Sequence, residues 1–138
     1  MELSDINFLA VIVAALSAFA IGSVWYSPLM FSKSWQNVLG LSEDDIKDAN
    51  MFLIFGTSFV LMLIMAIGLS LLFLVLNPNG STLILGLKQG LFIGVFFIST
   101  SYGVNILYQR KSFKLWAIDS GYQVLLLGLM GTIIGAWQ

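Results

Sequence analysis

Asp119 stands out in this 138-residue sequence because it is an acid inside a long apolar stretch. A carboxylate at the centre of a membrane helix costs about 2.5–3.5 kcal/mol on insertion scales, and such residues usually face a bundle interior or a water-filled cavity. We therefore expect polar side chains from the same depth of the membrane to gather around it. The candidates for this polar cluster are Asn105, Ser101, Tyr26, Ser27, Tyr122 and Gln123.

Three roles are open for the polar cluster: a hydrogen-bonded clasp that fixes the helix register, a site that binds or conducts a ligand or ion, or a catalytic site. Catalysis is the weakest, because a lone carboxylate lacks the paired acid, the base or the metal that such chemistry uses. The sequence has no Cys and no His, which removes thiolate chemistry and the usual zinc and copper sites. We expect no enzyme activity, no cofactor and no metal.

Four long apolar stretches must position these residues. Hydrophobic residues make up 59% of the chain and charged residues only 9%, whereas a soluble domain carries about 25% charged residues. In lipid a helix satisfies its own backbone hydrogen bonds, so such stretches are predicted to span the membrane as helices. The sequence predicts an all-α, four-transmembrane-helix bundle. It forms a single domain over residues 1–138, with spans at about 6–26, 51–76, 83–108 and 115–137.

The connections between the spans predict the orientation. Residues 29–48 mix apolar with polar side chains, which predicts a short amphipathic interfacial segment between the first two spans. Basic loops tend to stay in the cytoplasm. We therefore expect loops 27–50 and 109–114 to be cytoplasmic and both termini to lie outside. The basic residues in these two connections are Lys33, Lys47, Arg110, Lys111 and Lys114.

Small residues recur at helical spacing in three spans. Lipid supplies no hydrophobic drive for helix association, so close approach through small residues matters. Either these residues pack the helices of one chain together, or at least one row of them joins two copies of the protein. The first span has a row of alanines ending at Gly22. The other helix-packing candidates are Gly86, Gly90 and Gly94 in the third span and Gly121, Gly128, Gly131 and Gly135 in the fourth.

The end of the first span resembles the first-loop signature of a small bacterial membrane family, domain of unknown function 1761. The residues that carry the resemblance are Gly22-x-x-Trp25-Tyr26-Ser27-Pro28-x-x-Phe31-x-Lys33-x-Trp35, followed by Gly40. In the last span, Gly121-Tyr122 and Met130-Gly131 are also similar to that family. The resemblance covers nearly the whole chain. It implies a four-helix membrane protein and assigns no activity.

The same stretch has a physical interpretation of its own. Pro28 cannot continue a helix without losing a hydrogen bond, and aromatic rings favour the membrane interface. Trp25, Pro28, Phe31 and Trp35 are therefore predicted to form an interfacial motif, in which a helix stop is followed by aromatic anchors. The alternative is that this segment forms a lid over the polar cluster.

Two functions remain open at this point. The first is a structural or accessory role, as a homo-oligomer or as a subunit of a larger complex in a bacterial inner membrane. The second is an oligomeric channel or transporter for a small solute or ion. The candidate polar residues gather at one end of the spans, which argues against an open pore. A net charge of −1 offers no basic surface for nucleic acid, so the lipid bilayer and other membrane proteins are the expected partners.

Overall fold

The computed structural model describes residues 2–138, and in that part of the chain the regular structure is helical throughout. A short 3-10 turn, Leu3–Asp5, precedes the first long helix. The third long helix is continuous but changes type in its middle, where a π-helical segment separates two α-helical parts. In chain order the elements are α1 (Phe8–Trp25), α2 (Ser32–Leu39), α3 (Glu43–Lys47), α4 (Met51–Leu76), α5 (Leu83–Ile93), the π-helical segment (Gly94–Ser99), α6 (Thr100–Tyr108) and α7 (Phe113–Trp137).

Four helices are long and apolar enough to cross a membrane, namely Phe8–Trp25, Met51–Leu76, Leu83–Tyr108 and Phe113–Trp137. The predicted number of spans and the all-helical class are therefore confirmed, and the chain has the character of a multi-pass membrane protein. The first span begins at Phe8 because the Asn7 side chain caps it, accepting the backbone N–H of Ala10 at 3.2 Å. The fourth begins at Phe113, two residues earlier than predicted, because Ser112 caps it.

Helix α7 lies at the centre of the structure. In the most apolar stretch of α7, 50% of the residues are buried, compared with 17–28% in the corresponding stretches of the other three spans. It packs between α1 on one side and α5 on the other. Leu126, Met130 and Ile134 of α7 are almost fully buried, as are Ala14 and Ala18 of α1. The alanine row of α1 therefore packs inside the chain.

The contact between α5 and α7 is a close approach of two backbones through glycine. A Cβ added to Gly86 would overlap the carbonyl oxygen of Gly131, and a Cβ on Gly131 would overlap that of Gly86. Gly90 faces the carbonyl oxygen of Leu127 in the same way. The seam between α5 and α7 includes three more of the predicted glycines, each of which lies against the facing helix or its first turn. The nearest atoms to an added Cβ are Val124 Cα at 2.9 Å for Gly94, Leu91 Cδ2 at 2.8 Å for Gly128 and the Thr82 carbonyl oxygen at 2.6 Å for Gly135.

Helix α4 is buried against the bundle mainly in its second half, where Ala66 and Phe73 are fully buried. In its first half, residues 51–57 are all exposed, although the rings of Phe55 and Phe59 pack edge-on against Phe19 of α1 at 5.8 and 6.2 Å. The end of α4 is tied to α5 by Asn77 and Gln89, whose side-chain amides exchange two hydrogen bonds of 3.0 Å. The start of α4 is therefore less covered by the other helices than its end.

The connection between α1 and α4 contains two short helices. Helix α2 lies within residues 29–48, the stretch predicted to be amphipathic, and packs against α7. It ends at Gly40, whose φ of 68° is the left-handed conformation that glycine adopts without strain. Helix α3 begins with a capping box, in which Ser42 and Asp45 exchange hydrogen bonds of 2.9 and 3.1 Å.

Candidate functional site

The Asp119 carboxylate lies between two tyrosine hydroxyls. Tyr26 Oη donates to Oδ1 at 2.6 Å, and Tyr102 Oη donates to Oδ2 at 2.8 Å. Tyr26 directly follows α1, Tyr102 lies in α6, and Asp119 lies roughly 9 Å along α7 from its first residue. We call these three residues the Asp119 clasp. Because the two hydroxyls come from different elements, the clasp fixes the end of α1 and the start of α6 against α7.

Aromatic rings surround the clasp. The Tyr26 ring packs edge-on against Trp35 of α2 and Tyr122 of α7, with centroid separations of 5.7 and 5.4 Å. Phe31 packs on Trp25 at 4.6 Å, because its backbone N–H bonds to the Trp25 carbonyl across the proline turn at 3.0 Å. These rings fold back onto the bundle instead of pointing away from it. Trp35 thereby lies beside the clasp, which is the position that the lid alternative requires.

Ser101 and Asn105 are not part of this site. Both side chains are exposed on the outer face of α6. The prediction that they face Asp119 assumes that they continue the stripe of glycines that begins in α5. The residue that does reach Asp119 from this helix is Tyr102, which the sequence interpretation missed.

The cause of this difference is the π-helical segment Gly94–Ser99. A π-helical insertion adds a residue to the turn, so every later residue is rotated by about 100° relative to a regular α-helix. The inward stripe therefore shifts by one position and continues through Ser99, Tyr102 and Ile106, of which Ser99 and Ile106 are buried. Nothing in the local sequence pattern announces this extra residue, so the regular spacing led to the neighbouring positions.

The other predicted cluster residues have different partners. The Ser27 hydroxyl donates to the Val24 carbonyl of its own helix at 2.6 Å. Gln123 is half-buried and makes no hydrogen bond with the clasp. Tyr122 is buried beside Tyr26, but its hydroxyl donates to a backbone carbonyl of α1. Of the residues proposed to join Asp119, only Tyr26 bonds to it directly.

Three aromatic side chains donate to backbone carbonyls of a neighbouring helix, each beside a glycine. Helical side chains lean toward the N-terminus and cover the preceding turn, so a glycine leaves the carbonyl three or four residues before it uncovered. A Cβ at these glycines would lie 2.7–3.0 Å from the aromatic side chain. The contacts are Trp25 Nε1 to Ile118 beside Gly121 (3.0 Å), Trp116 Nε1 to Ser99 beside Gly103 (2.8 Å) and Tyr122 Oη to Ala18 beside Gly22 (3.0 Å).

These aromatic contacts explain why Gly121 stands apart from the other predicted packing glycines. It does not join the seam between α5 and α7 but accommodates the Trp25 ring from α1. Trp116 has the corresponding role toward the third span, because it bonds to the last residue of the π-helical segment. The contacts and the clasp together set the register of α1, the third span and α7 at one end of the bundle.

Comparison with known sequences matches residues 9–135 to the family described as Protein of unknown function (DUF1761). The chain belongs to this family. The match includes the Trp25–Trp35 stretch and the Asp119 clasp, which agrees with the resemblance noted from the sequence. No curated protein and no solved structure matches this DUF1761 protein. The family description names no activity, so the function is argued from the geometry.

The chemistry available in the clasp of this DUF1761 protein is that of one carboxyl group and two phenol hydroxyls. Among residues 2–138, no group of three His, Cys, Asp or Glu side chains is placed to hold a metal ion. Within the same residues, Asp119 accepts hydrogen bonds from tyrosines and forms no ion pair with Lys or Arg. The site therefore offers hydrogen-bond acceptors and an acidic group surrounded by aromatic rings.

Proposed function

We propose that this DUF1761 protein is a structural or accessory membrane subunit that assembles into a homo-oligomer in the inner membrane of a bacterium. The observation that carries the proposal is the first half of α4. Residues 51–57 are all exposed, and Phe52 is 91% exposed; within these turns the Phe55 ring packs edge-on against Phe19 of α1 at 5.8 Å, which leaves most of their surface uncovered. Such a surface is available to a second copy of the protein.

Gly56 supports a second copy as the occupant of this surface. A helical glycine costs about 1 kcal/mol relative to alanine, which close packing of membrane helices offsets. The helical glycines of α1, the third span and α7 each contact another helix, but the two glycines of α4, Gly56 and Gly68, have nothing within 4 Å. Of these two, Gly56 is the one that lies in the exposed turns 51–57. A twofold contact would place Gly56 of one copy near Gly56 of the other, in the commonest oligomer symmetry. The groove around it is lined by Phe52, Leu53, Thr57 and Val60.

The oligomer is tested by native mass measurement in mild detergent. We expect the wild-type protein to be a dimer or larger, and Gly56→Leu to shift the mass to the monomer. Gly68→Leu is the matched control, because Gly68 also lies in α4 with nothing within 4 Å and points about 120° away from Gly56 around the helix. A monomeric wild-type protein that co-purifies with no partner refutes the proposal.

Cysteine cross-linking locates the contact, because the sequence contains no Cys of its own. We expect Thr57→Cys to form a covalent dimer in membranes under mild oxidation. Leu107→Cys is the control, since Leu107 is 76% exposed on α6, outside the proposed contact. Equal cross-linking at both positions would indicate random collision in the bilayer and would remove the support for α4 as the contact.

The clasp supports a structural role over a catalytic one. Both Asp119 oxygens are engaged by tyrosine hydroxyls, and catalysis by a carboxylate needs a base, an acid or a metal in reach of the reacting atoms. We therefore propose that the protein is not an enzyme and that the clasp holds the helices in register. Tyr102→Phe should then lower stability without changing the oligomer mass.

We also propose that both termini lie outside and that loops 27–50 and 109–114 are cytoplasmic. The support is the set of basic residues in these loops, because short basic loops are retained in the cytoplasm. Ser34→Cys and Asn79→Cys lie at opposite ends of the spans and test this, since Asn79 is exposed in the turn between α4 and α5. A membrane-impermeant thiol reagent applied to intact cells should label Asn79→Cys only. Labelling of Ser34→Cys alone would reverse the orientation.

A carrier for a small solute or ion is the second candidate function. The observation that favours it is the membrane carboxylate without a basic partner, since intramembrane acids often mark the path of a substrate. Flux into liposomes that contain the purified protein tests it. Flux that disappears in Asp119→Asn would favour the carrier over the structural subunit.

A further inference from the structure

We propose that the Asp119 clasp binds a primary ammonium group. The inference concerns a ligand of the clasp and does not depend on the oligomer proposed above. Asp119 is the one acidic residue within the four spans. A carboxylate in a medium of low dielectric constant favours a nearby positive charge.

Within residues 2–138, no basic side chain bonds to Asp119, whose hydrogen-bond donors are the two tyrosines. The basic residues of the two connections at this end are all exposed, namely Lys33, Lys47, Arg110, Lys111 and Lys114. Hydroxyl donors stabilise a carboxylate without balancing its charge, so a place for a cation remains.

The clasp has acceptor capacity left for such a cation. A carboxylate has about four lone-pair sites, and the two tyrosine hydroxyls occupy one on each oxygen. Each phenol oxygen donates one hydrogen bond and still has lone pairs with which to accept. A primary ammonium carries three N–H donors. It can therefore bond to the carboxylate and to a phenol oxygen at the same time.

The surroundings of the clasp suit an organic cation and leave it accessible. The rings of Trp35 and Tyr122 pack on Tyr26, and aromatic faces attract cations. Asp119, Tyr26 and Tyr102 are each only partly buried. A ligand can thus approach from the edge of the bundle.

The acceptor set distinguishes a primary ammonium from other cations. A quaternary ammonium has no N–H and would leave the remaining oxygen lone pairs unused. Calcium takes six to eight oxygen ligands, and magnesium near-ideal octahedral ones, whereas this site offers one carboxylate and two phenols. The ammonium group has two chemical sources, a small free amine and the headgroup of an aminophospholipid.

Binding of a free amine is tested with the full-length protein in a detergent without amino groups. Ethanolamine is titrated while tryptophan fluorescence is followed, because Trp25 and Trp35 lie beside the clasp. We expect saturable binding that is at least tenfold weaker for tetramethylammonium at the same ionic strength. Asp119→Asn should abolish binding, and Tyr102→Phe should weaken it about fivefold, the loss of one hydrogen bond. Asn105→Ala should bind as wild type, because Asn105 is exposed away from the clasp.

Binding of a lipid headgroup is tested in nanodiscs. Protein in discs with phosphatidylethanolamine should show a higher unfolding temperature than in discs with phosphatidylglycerol, and this difference should vanish in Asp119→Asn and shrink in Tyr102→Phe. A response in nanodiscs but not to ethanolamine identifies the lipid as the source, and the converse identifies the free amine. If neither responds, or if tetramethylammonium binds equally well, the primary-ammonium site is refuted. The oligomer mass is read separately, so the two proposals fail independently.

Discussion

Gly86→Ala tests the packing at the centre of the fold. The added Cβ would overlap the Gly131 carbonyl oxygen, with the Gly131 carbonyl carbon at 2.9 Å and Gly135 Cα at 3.0 Å. Ordinary contacts between such atoms are 3.4–4 Å. All three neighbours are backbone atoms of α7, so no side chain can rotate out of the way. The two helices must separate locally by at least several tenths of an ångström to accept one methyl group.

The size of the effect follows from two opposing contributions. Overpacking a close contact costs typically 1–3 kcal/mol, and the upper part of that range applies because the clash is with backbone on a rigid helix. A gap of 0.5–1 Å also forfeits a quarter to a half of the dispersion energy of the contacts that it opens. Alanine returns up to about 1 kcal/mol of helix propensity. We expect a net loss of about 2 kcal/mol, roughly a thirtyfold shift of the unfolding equilibrium.

The assay is reversible unfolding in mixed micelles with increasing SDS, followed by far-ultraviolet circular dichroism. Gly68→Ala is the matched control, because the same chemical change meets nothing within 4 Å there and should leave stability unchanged or raise it. The two variants should therefore move the midpoint in opposite directions or by clearly different amounts. If Gly86→Ala is as stable as Gly68→Ala, the helices are not in contact through these glycines and the account of the core is wrong.

Three smaller predictions concern single hydrogen bonds. Tyr122→Phe leaves the Ala18 carbonyl without its donor and should lower the free energy of unfolding by about 1–2 kcal/mol in the same assay. Trp116→Phe removes the indole N–H from the π-helical segment, whose hydrogen exchange should rise several-fold by mass spectrometry while total helicity is retained. Hydrogen bonds with Ser42 hold the pKa of Asp45 below its usual value, and the bond from the Ser42 backbone N–H has a larger effect than the bond with its side chain. Ser42→Ala removes the hydroxyl but keeps the backbone N–H, so that pKa should rise only part of the way to its usual value in a carbon-13 NMR titration. The cap therefore stabilises α3 above the usual aspartate pKa, and this contribution is lost as the pH falls through the lowered value.

Each of these predictions has an outcome that contradicts it. Wild-type stability in Tyr122→Phe would mean that the carbonyl it faces is satisfied in another way. Unchanged exchange in Trp116→Phe would show that the π-helical segment is held by its own backbone bonds. A pKa for Asp45 that does not change at all after Ser42→Ala would show that the Ser42 side chain does not contribute to lowering it, and a pKa that returns fully to the usual value would show that the backbone N–H does not.

The membrane-spanning architecture was accessible from the sequence because it depends on composition and length. A stretch such as 51–76 contains no charged residue, and an apolar stretch of this length has one stable backbone conformation in lipid. The turn at Asn77–Gly80 and the helix stop before Pro28 follow from equally local rules. The contacts of Gly86, Gly90 and Gly131 were also foreseen as packing positions, because only small residues allow two backbones to approach.

The partners of Asp119 were foreseen only in part. Tyr26 was predicted correctly because the end of α1 and the start of α7 must lie at the same depth in the membrane. Tyr26 directly follows the last residue of α1 and therefore lies level with Asp119 of α7. The role of Tyr122 was misjudged in its detail, since its hydroxyl turns to the carbonyl of Ala18, which the missing side chain of Gly22 leaves uncovered. Whether the Tyr122 hydroxyl bonds to Asp119 or to the Ala18 carbonyl depends on the distance between α1 and α7.

The sequence by itself determined that the chain forms four apolar helices, that Asp119 is the acid among them and that the glycines of the third and fourth spans are packing positions, because each of these depends on residue type and regular spacing. Only the tertiary structure decided that the glycines of α5 face those of α7. Only the tertiary structure decided that Tyr102, and not Ser101 or Asn105, reaches Asp119. The physical reason is the π-helical segment Gly94–Ser99, whose extra residue turns the rest of the helix by about 100°. Such an insertion is stabilised by contacts across helices, including the bond from Trp116 to Ser99, and therefore leaves no trace in local spacing.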